Sequence, residues 1–308
     1  MKKSKKEKII AVTLGDPDGI GSEVTFKALK EQSFEFPILL IGEESFYPGQ
    51  DYLKINEINQ IKESGIYFLN ITPGKKDPSF EYVEKATNLA LEGKISAIVT
   101  GPISKEKWIN SGVSYPGHTD YFVKRSKTKK WAMFFWSSDM KVALFTTHIP
   151  LKSVFNYLKK EKITDFCRFI NKELEQITGK KQTLFISGLN PHAGESGNLG
   201  LEEVKIIIPS VKELKKEMEI YGPYPPDTVF LEAAKTRDSI VIALYHDQGL
   251  IPFKLLNINS GVNVTLGLPF IRTSPDHGTA SGIKGKNIAN PASMIEAISL
   301  AAKLIKRS

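Results

Sequence analysis

Short apolar runs recur along the chain and alternate with stretches of helical periodicity. The runs are Ile9–Leu14, Pro37–Gly42, Ser96–Thr100, Ala132–Trp136, Val142–Thr147, Thr183–Ser187 and Ser239–Tyr245. Runs of this length, rich in Val, Ile and Phe and without strict alternation, predict strands buried on both faces. Helices are predicted between them. Asp77-Pro78 reads as an N-cap with proline in the first turn, opening a helix towards Gly93. Thr164 is placed to cap Asp165–Ile177 ahead of Gly179, and Asn290-Pro291 to cap a last helix from Ala292 to Lys306. Strand–helix alternation over the whole length predicts an α/β layer protein. No repeat, low-complexity tract or long linker marks a boundary.

With 308 residues, of which 41% are hydrophobic, the chain has the material for two domains or one large one and is not of a disordered class. The net charge is +8, with four of those charges in the first eight residues (five lysines less Glu7). Without aromatic stacking motifs or groove-reading motifs, this basicity reads as solvated surface and not as a nucleic-acid interface, and it favours an anionic small substrate. Cys167 is the single cysteine, which excludes an intrachain disulfide and fits a reducing, cytoplasmic setting. It sits in a helical apolar stretch and reads as core. No apolar run approaches the roughly 18 residues of a membrane span, and Ile9–Leu14 is too short for a secretion signal.

The five histidines are His118, His148, His192, His246 and His277. His148 and His246 close apolar runs and His192 follows one, so parallel strands would place all three at carboxyl ends, where open α/β sheets bind ligands. Neutral imidazoles there suit a divalent first-row metal with an open position, or hydrogen bonding at a strand end. The spacings match no local zinc motif. Asp247 and Glu195 are neighbours able to orient an imidazole. The loops carry further chemistry. Gly15-Asp-Pro-Asp-Gly-Ile-Gly-Ser-Glu23 is a glycine-rich strand-to-helix turn but lacks the dinucleotide fingerprint, because Val24 stands where a third glycine belongs. Lys105 follows Gly101-Pro-Ile-Ser. His118 and Thr119 lie together, with Thr119 positioned as a helix cap. Lys254, Asn263 and Arg272 recur at nine-residue intervals and form a set able to grip phosphate or carboxylate, arginine as a fork.

Taken together, the strings Gly15-Asp-Pro-x-Gly-Ile-Gly-x-Glu23, Thr100-Gly-Pro-Ile-Ser-Lys105, Gly117-His-Thr119, Thr146-Thr-His148, Gly188-Leu-Asn-Pro-His-Ala-Gly-Glu195, Gly222-Pro-x-x-x-Asp-Thr228, Tyr245-His-Asp-Gln-Gly249 and Arg272-Thr-Ser-Pro-Asp-His-Gly278 resemble the 4-hydroxythreonine-4-phosphate dehydrogenase family, in family order. The resemblance implies two α/β/α domains with a cleft between them, as in isocitrate and isopropylmalate dehydrogenases. One domain would hold residues 1–125 and 280–308, the other residues 126–279. It implies metal ligands at His148, His192 and His246, and substrate contacts from His118, Thr119, Lys254, Asn263 and Arg272. It implies NAD or NADP, bound without the Rossmann fingerprint, a divalent metal (Zn, Mg or Co), and a homodimer whose active sites draw on both subunits. The expected reaction, in vitamin B6 biosynthesis, is oxidative decarboxylation of 4-phosphohydroxy-L-threonine to 3-amino-2-oxopropyl phosphate. Asp227, Asp247 and Lys105 are unranked acid–base candidates. Within the family the alternative is a 4-phospho-D-threonate or D-erythronate dehydrogenase; outside it, a zinc-dependent hydrolase. Two positions depart from the pattern: Asp18 stands where a small residue is expected and Ser22 where proline is common. An extra carboxylate there either repels a phosphate-rich ligand or faces solvent.

Overall fold

A computed structural model describes residues 8–307; the lysine-rich start from Lys2 to Glu7 lies outside the described residues. The chain forms two compact units. The first contains the described residues through Trp131 together with those from Val262 onward, and the second is Ala132–Gly261.

In the first unit the strands are β1 (Ile10–Thr13), β2 (Ile38–Gly42), β3 (Leu53–Ile55), β4 (Ile66–Asn70), β5 (Ala97–Thr100), β11 (Val262–Leu266) and β12 (Ile271–Pro275), in the spatial order β3-β4-β2-β1-β5-β12-β11. All neighbours are parallel except β11 and β12. The helices are α1 (Gly21–Glu31), α2 (Pro78–Leu91), α3 (Lys105–Asn110), α4 (His118–Ser126) and α10 (Ala292–Arg307). Every residue of β1, β2 and β5 is buried. Because successive side chains point to opposite faces, that burial requires cover on both sides of the sheet. Asp77 caps α2 by accepting from the Ser79 amide, and Asn290 accepts from the Ala292 amide at the start of α10, as the sequence predicts.

The second unit holds β6 (Ala132–Trp136), β7 (Lys141–Leu144), β8 (Thr183–Ser187), β9 (Ile220–Tyr224) and β10 (Ser239–Ala243), ordered β6-β7-β10-β8-β9. Only the β6–β7 pair is antiparallel. Its helices are α5 (Leu151–Tyr157), α6 (Lys160–Thr178), α7 (Ile208–Leu214), α8 (Val229–Ala234) and α9 (His246–Asn257).

Three expectations are corrected. The return to the first unit falls at Val262, not at residue 280, because β12 pairs in parallel with β5 and carries β11 with it. Helix α6 begins at Lys160 and not at a Thr164 cap; Thr164 lies inside the helix, where its hydroxyl bonds the Glu161 carbonyl. Thr119 is likewise inside α4, whose first residue is His118 after an extended Gly117.

Candidate active site

In the second unit, strand pairing sets two histidines side by side. Beyond the last residues of β7 and β10, the Phe145 amide bonds the Ala243 carbonyl, and the Thr146 amide and hydroxyl both bond the Leu244 carbonyl, the hydroxyl at 2.7 Å. His148 lies two residues past Thr146 and His246 two residues past Leu244, and their ring centroids stand 5.4 Å apart. Asp247 Oδ1 is 2.7 Å from His246 Nδ1. With Nδ1 donating to that carboxylate, the His246 Nε2 lone pair is left for a ligand. The rings are not sealed in the core: His148 is exposed and His246 half-buried. Such a pair fits two positions of a divalent metal site.

His192 is not assembled with them. No group of three His, Cys, Asp or Glu side chains able to hold a metal occurs among the described residues. His192 belongs to the loop after β8, in which His192, Ala193, Gly194, Glu195 and Ser196 all have positive φ, between 43° and 77°. Five successive left-handed residues form a turn that L-residues disfavour by roughly 1 kcal/mol or more each. Among the described residues no hydrogen bond or ion pair joins Glu195 to His192, whereas Asp247 lies at hydrogen-bond distance from the His246 ring.

In the first unit, Arg272 on β12 is 3% exposed. The register of β11 and β12 sets Thr265 opposite it, and Thr100 ends the neighbouring β5. Arg272 donates from Nη1 to Thr265 Oγ1 (3.2 Å) and from Nη2 to Thr100 Oγ1 (2.9 Å), and its Nε has no partner. No carboxylate among the described residues pairs with it, and burial lowers its pKa to about 10. His118 opens α4, wedged between Trp108 (centroids 5.5 Å, edge-on) and Phe122 (6.1 Å, stacked). Its Nε2 is closed off from solvent and unpartnered. Burial first, then the charges of Arg272 and Lys105, push its pKa well below 6.5, so the ring is neutral at physiological pH. Asn263 Oδ1, on β11 two residues from Thr265, is also buried and unpartnered. Buried polar atoms are rarely left this way. Arg272 Nε, a donor, Asn263 Oδ1, an acceptor, and His118 Nε2 are thus three buried polar atoms of the first unit without a partner.

Thr119 follows His118 into the first turn of α4. Lys105 is exposed at the start of α3, with its Cε beside Gly117. Lys254 lies on α9 of the second unit, and Asp227 is exposed between β9 and α8. Cys167 is buried, and that burial pushes its thiol up to about 12.

The glycine-rich loop is fixed by close backbone approach. Gly15 has φ +78°, and a Cβ there would stand 2.4 Å from the Pro102 carbonyl oxygen. Asp18 is exposed but paired: Lys107 and Lys284 hold its two oxygens at 2.6 and 2.9 Å and depress its pKa to about 2. Lys107 also bridges to the buried Asp16 at 2.8 Å. Beside this loop lies a cavity of about 420 Å³, lined by Gly19, Ser22, Phe26, Phe46, Lys284 and Asn287 among others.

Comparison with known proteins decides the family. Residues 11–301 match the model of the pyridoxal phosphate biosynthetic protein PdxA. The chain belongs to the PdxA family. A 4-hydroxythreonine-4-phosphate dehydrogenase of Sulfurihydrogenibium sp. (strain YO3AOP1) is 46% identical over 97% of this chain and 98% of that protein. A D-threonate 4-phosphate dehydrogenase of Pectobacterium atrosepticum is 37% identical over 96% and 99%. The crystal structure of a 4-hydroxythreonine-4-phosphate dehydrogenase from Klebsiella pneumoniae superposes with a TM-score of 0.83 at 35% identity, covering 97% of this chain and 99% of that one. At the level of fold alone, isocitrate dehydrogenase from Methylococcus capsulatus is similar (TM-score 0.51, 14% identity, 97% and 86% covered). As a PdxA-family dehydrogenase the chain is an oxidoreductase of pyridoxine phosphate biosynthesis that uses a nicotinamide cofactor, which displaces the zinc-hydrolase alternative. No described helix is long and apolar enough to cross a membrane.

Proposed function

We propose that this PdxA-family chain oxidises and decarboxylates 4-phosphohydroxy-L-threonine to 3-amino-2-oxopropyl phosphate, with NAD as hydride acceptor and a divalent cation as helper. The observation that carries this reading is the buried Arg272, with the orphaned His118 Nε2 and Asn263 Oδ1 in the same unit. The substrate brings a phosphate and a carboxylate, and a guanidinium lacking a counter-anion fits either as a two-pronged donor. Neutral His118 donates or accepts one hydrogen bond from Nε2 without adding charge, and Lys105, Thr119 and Lys254 supply further polar contacts. Holding the anionic ends fixes the reacting carbon before chemistry begins.

His148 and His246 would hold the cation, with His192 as third ligand once its turn is brought to them. When bound, the cation supplies Lewis-acid stabilisation of negative charge that develops on the substrate oxygen in both oxidation and decarboxylation. Asp247 keeps the His246 ring in the tautomer that leaves Nε2 as a donor of its lone pair. That commitment leaves Asp227 and Lys105 as the acid–base candidates. The cavity beside the glycine-rich loop, with two aromatic rings and Lys284, suits a planar ring with an anionic tail and is where the cofactor would sit. A homodimer is supported by the apolar outer face of α9 and the residue after it, where Ile251, Leu255, Leu256 and Ile258 are exposed. The reducing, cytoplasmic setting read from a single buried cysteine is part of the same proposal.

The second reading, 4-phospho-D-threonate or D-erythronate as substrate, is favoured by the 37% identical relative of that activity. One assay separates them: NADH formation by purified protein with each substrate, with and without chelator. Chelator-sensitive turnover that is fastest on the amino-acid substrate is the expected result. Faster turnover of the threonate moves the chain to the second reading, and turnover indifferent to chelator removes the metal.

A further inference from the structure

A buried guanidinium is normally paired with a carboxylate, because an isolated charge in the interior is costly. Arg272 has no such pair among the described residues. Thr265 and Thr100 meet its Nη1 and Nη2 with hydroxyl dipoles that carry no net charge. One further group faces it. The centroid of the Phe122 ring stands 5.9 Å from Arg272 Cζ. An aromatic face carries negative potential and attracts a cation within about 6 Å of the centroid, more strongly where water is excluded. Phe122 has no exposed surface.

The same ring also meets His118. The two residues are four apart on α4, a spacing that brings side chains together on one side of a helix. Their rings lie 10° from parallel with centroids 6.1 Å apart. Phe122 is itself held. Phe270, the residue before β12, meets it edge-on at 5.7 Å, which ties α4 to the strand that carries Arg272. Trp108 meets the His118 ring edge-on at 5.5 Å and is anchored by its Nε1, which donates to Ser79 Oγ at 2.9 Å.

A carboxylate at this place would hold Arg272 more tightly, but it would take up the N–H donors that an incoming anion needs. An aromatic face attracts the cation and offers no acceptor oxygen, and Arg272 Nε is without a partner. We propose that Phe122 is a positioning residue for substrate binding, its ring seating both the Arg272 guanidinium, in place of a counter-ion, and the His118 imidazole. The proposal rests on the substrate contacts assigned above to Arg272 and His118.

Double-mutant cycles test it. Affinity for 4-phosphohydroxy-L-threonine is measured by calorimetry, and as KM in the NADH assay, for wild type, Phe122→Leu, His118→Gln, Arg272→Met and the two doubles that add Phe122→Leu to His118→Gln and to Arg272→Met. Phe122→Leu alone is expected to weaken substrate binding by about 10-fold, within the range of coupling between residues in contact. In each double the same change should cost clearly less, because one of the groups that the ring seats is already gone. A merely structural role predicts the full cost in both doubles, and that result overturns the proposal. A reduced cost in one double alone ties the ring to that residue only and overturns the shared seat. Wild-type affinity in Phe122→Leu, with affinity lost in His118→Gln and Arg272→Met, ends the positioning role and leaves the substrate contacts standing. Wild-type affinity in His118→Gln and Arg272→Met overturns those contacts and the proposal with them. If Phe122→Leu does not fold, Phe122→Met, which fills the space with a flexible side chain lacking a ring, is read in the same way.

Discussion

Arg272 is held by two threonine hydroxyls and no carboxylate, in a place where a guanidinium is 3% exposed. A buried charge met only by neutral groups opposes folding, whereas an apolar side chain of similar length would not. Arg272→Met is therefore expected to leave the melting temperature unchanged or raised, while the KM for the phosphorylated substrate rises by about 10²-fold or more, as when one partner of a buried charge pair is removed. Calorimetry and steady-state kinetics on the same preparation check this, and a lowered melting temperature with unchanged KM would assign Arg272 to the scaffold. His118 makes a pH prediction. Its folded pKa lies well below the ordinary 6.5, so between those two values the unfolded chain binds the extra proton. Stability then rises with pH through that window and falls as the pH drops below 6.5. In His118→Gln this part of the dependence should vanish; melting curves across the window that overlay in shape with wild type would show that another group is responsible.

The buried strands were legible because β1, β2, β5, β8 and β10 are apolar on both faces, and the same pattern located His148 and His246 at strand ends. Their pairing follows from strand register, to which a sequence pattern points once the strands are known to be parallel neighbours. β4 went unrecognised although its Tyr67, Phe68 and Leu69 are buried; the other unrecognised strands fail that test for physical reasons. β3 is a three-residue edge with two exposed residues, and β9 carries Gly222 and Pro223 at a sheet edge. β11 and β12 place Asn263, Thr265, Arg272 and Ser274 where an apolar run would be expected, and these polar residues disguise the strands. The handedness of the His192 turn is written in no local signal either. Only Gly194 favours positive φ. Asp18 is the converse case: visible as a departure from the family pattern, it is explained only by Lys107 and Lys284, which lie far from it in sequence.

At the scale of the molecule, a net charge of +8 would keep copies apart unless a specific apolar face draws them together. Such a face is present. On and just beyond α9, Leu255 is 80% exposed, Leu256 69%, Ile251 68% and Ile258 62%, while the opposite side of the helix buries Leu250 and Phe253. A helix that is apolar on its inner and outer sides is one meant to be covered twice, and contiguous apolar surface of this kind is uncommon on a stable monomer. Three of the four side chains lie on the helix that starts with His246 and includes Lys254, and Ile258 directly follows it, so an interface here would stiffen the element that carries a proposed metal ligand and a proposed substrate contact. Wild-type protein is expected to sediment as a dimer at micromolar concentration. Replacing both Ile251 and Leu255 by lysine sets like charges against each other across a two-fold axis and should give a monomer with wild-type helical content by circular dichroism. If each active site also takes residues from the partner, that monomer loses turnover out of proportion to any change in melting temperature. A dimer that survives both lysines places the interface elsewhere. A monomer with full turnover means that each copy works alone.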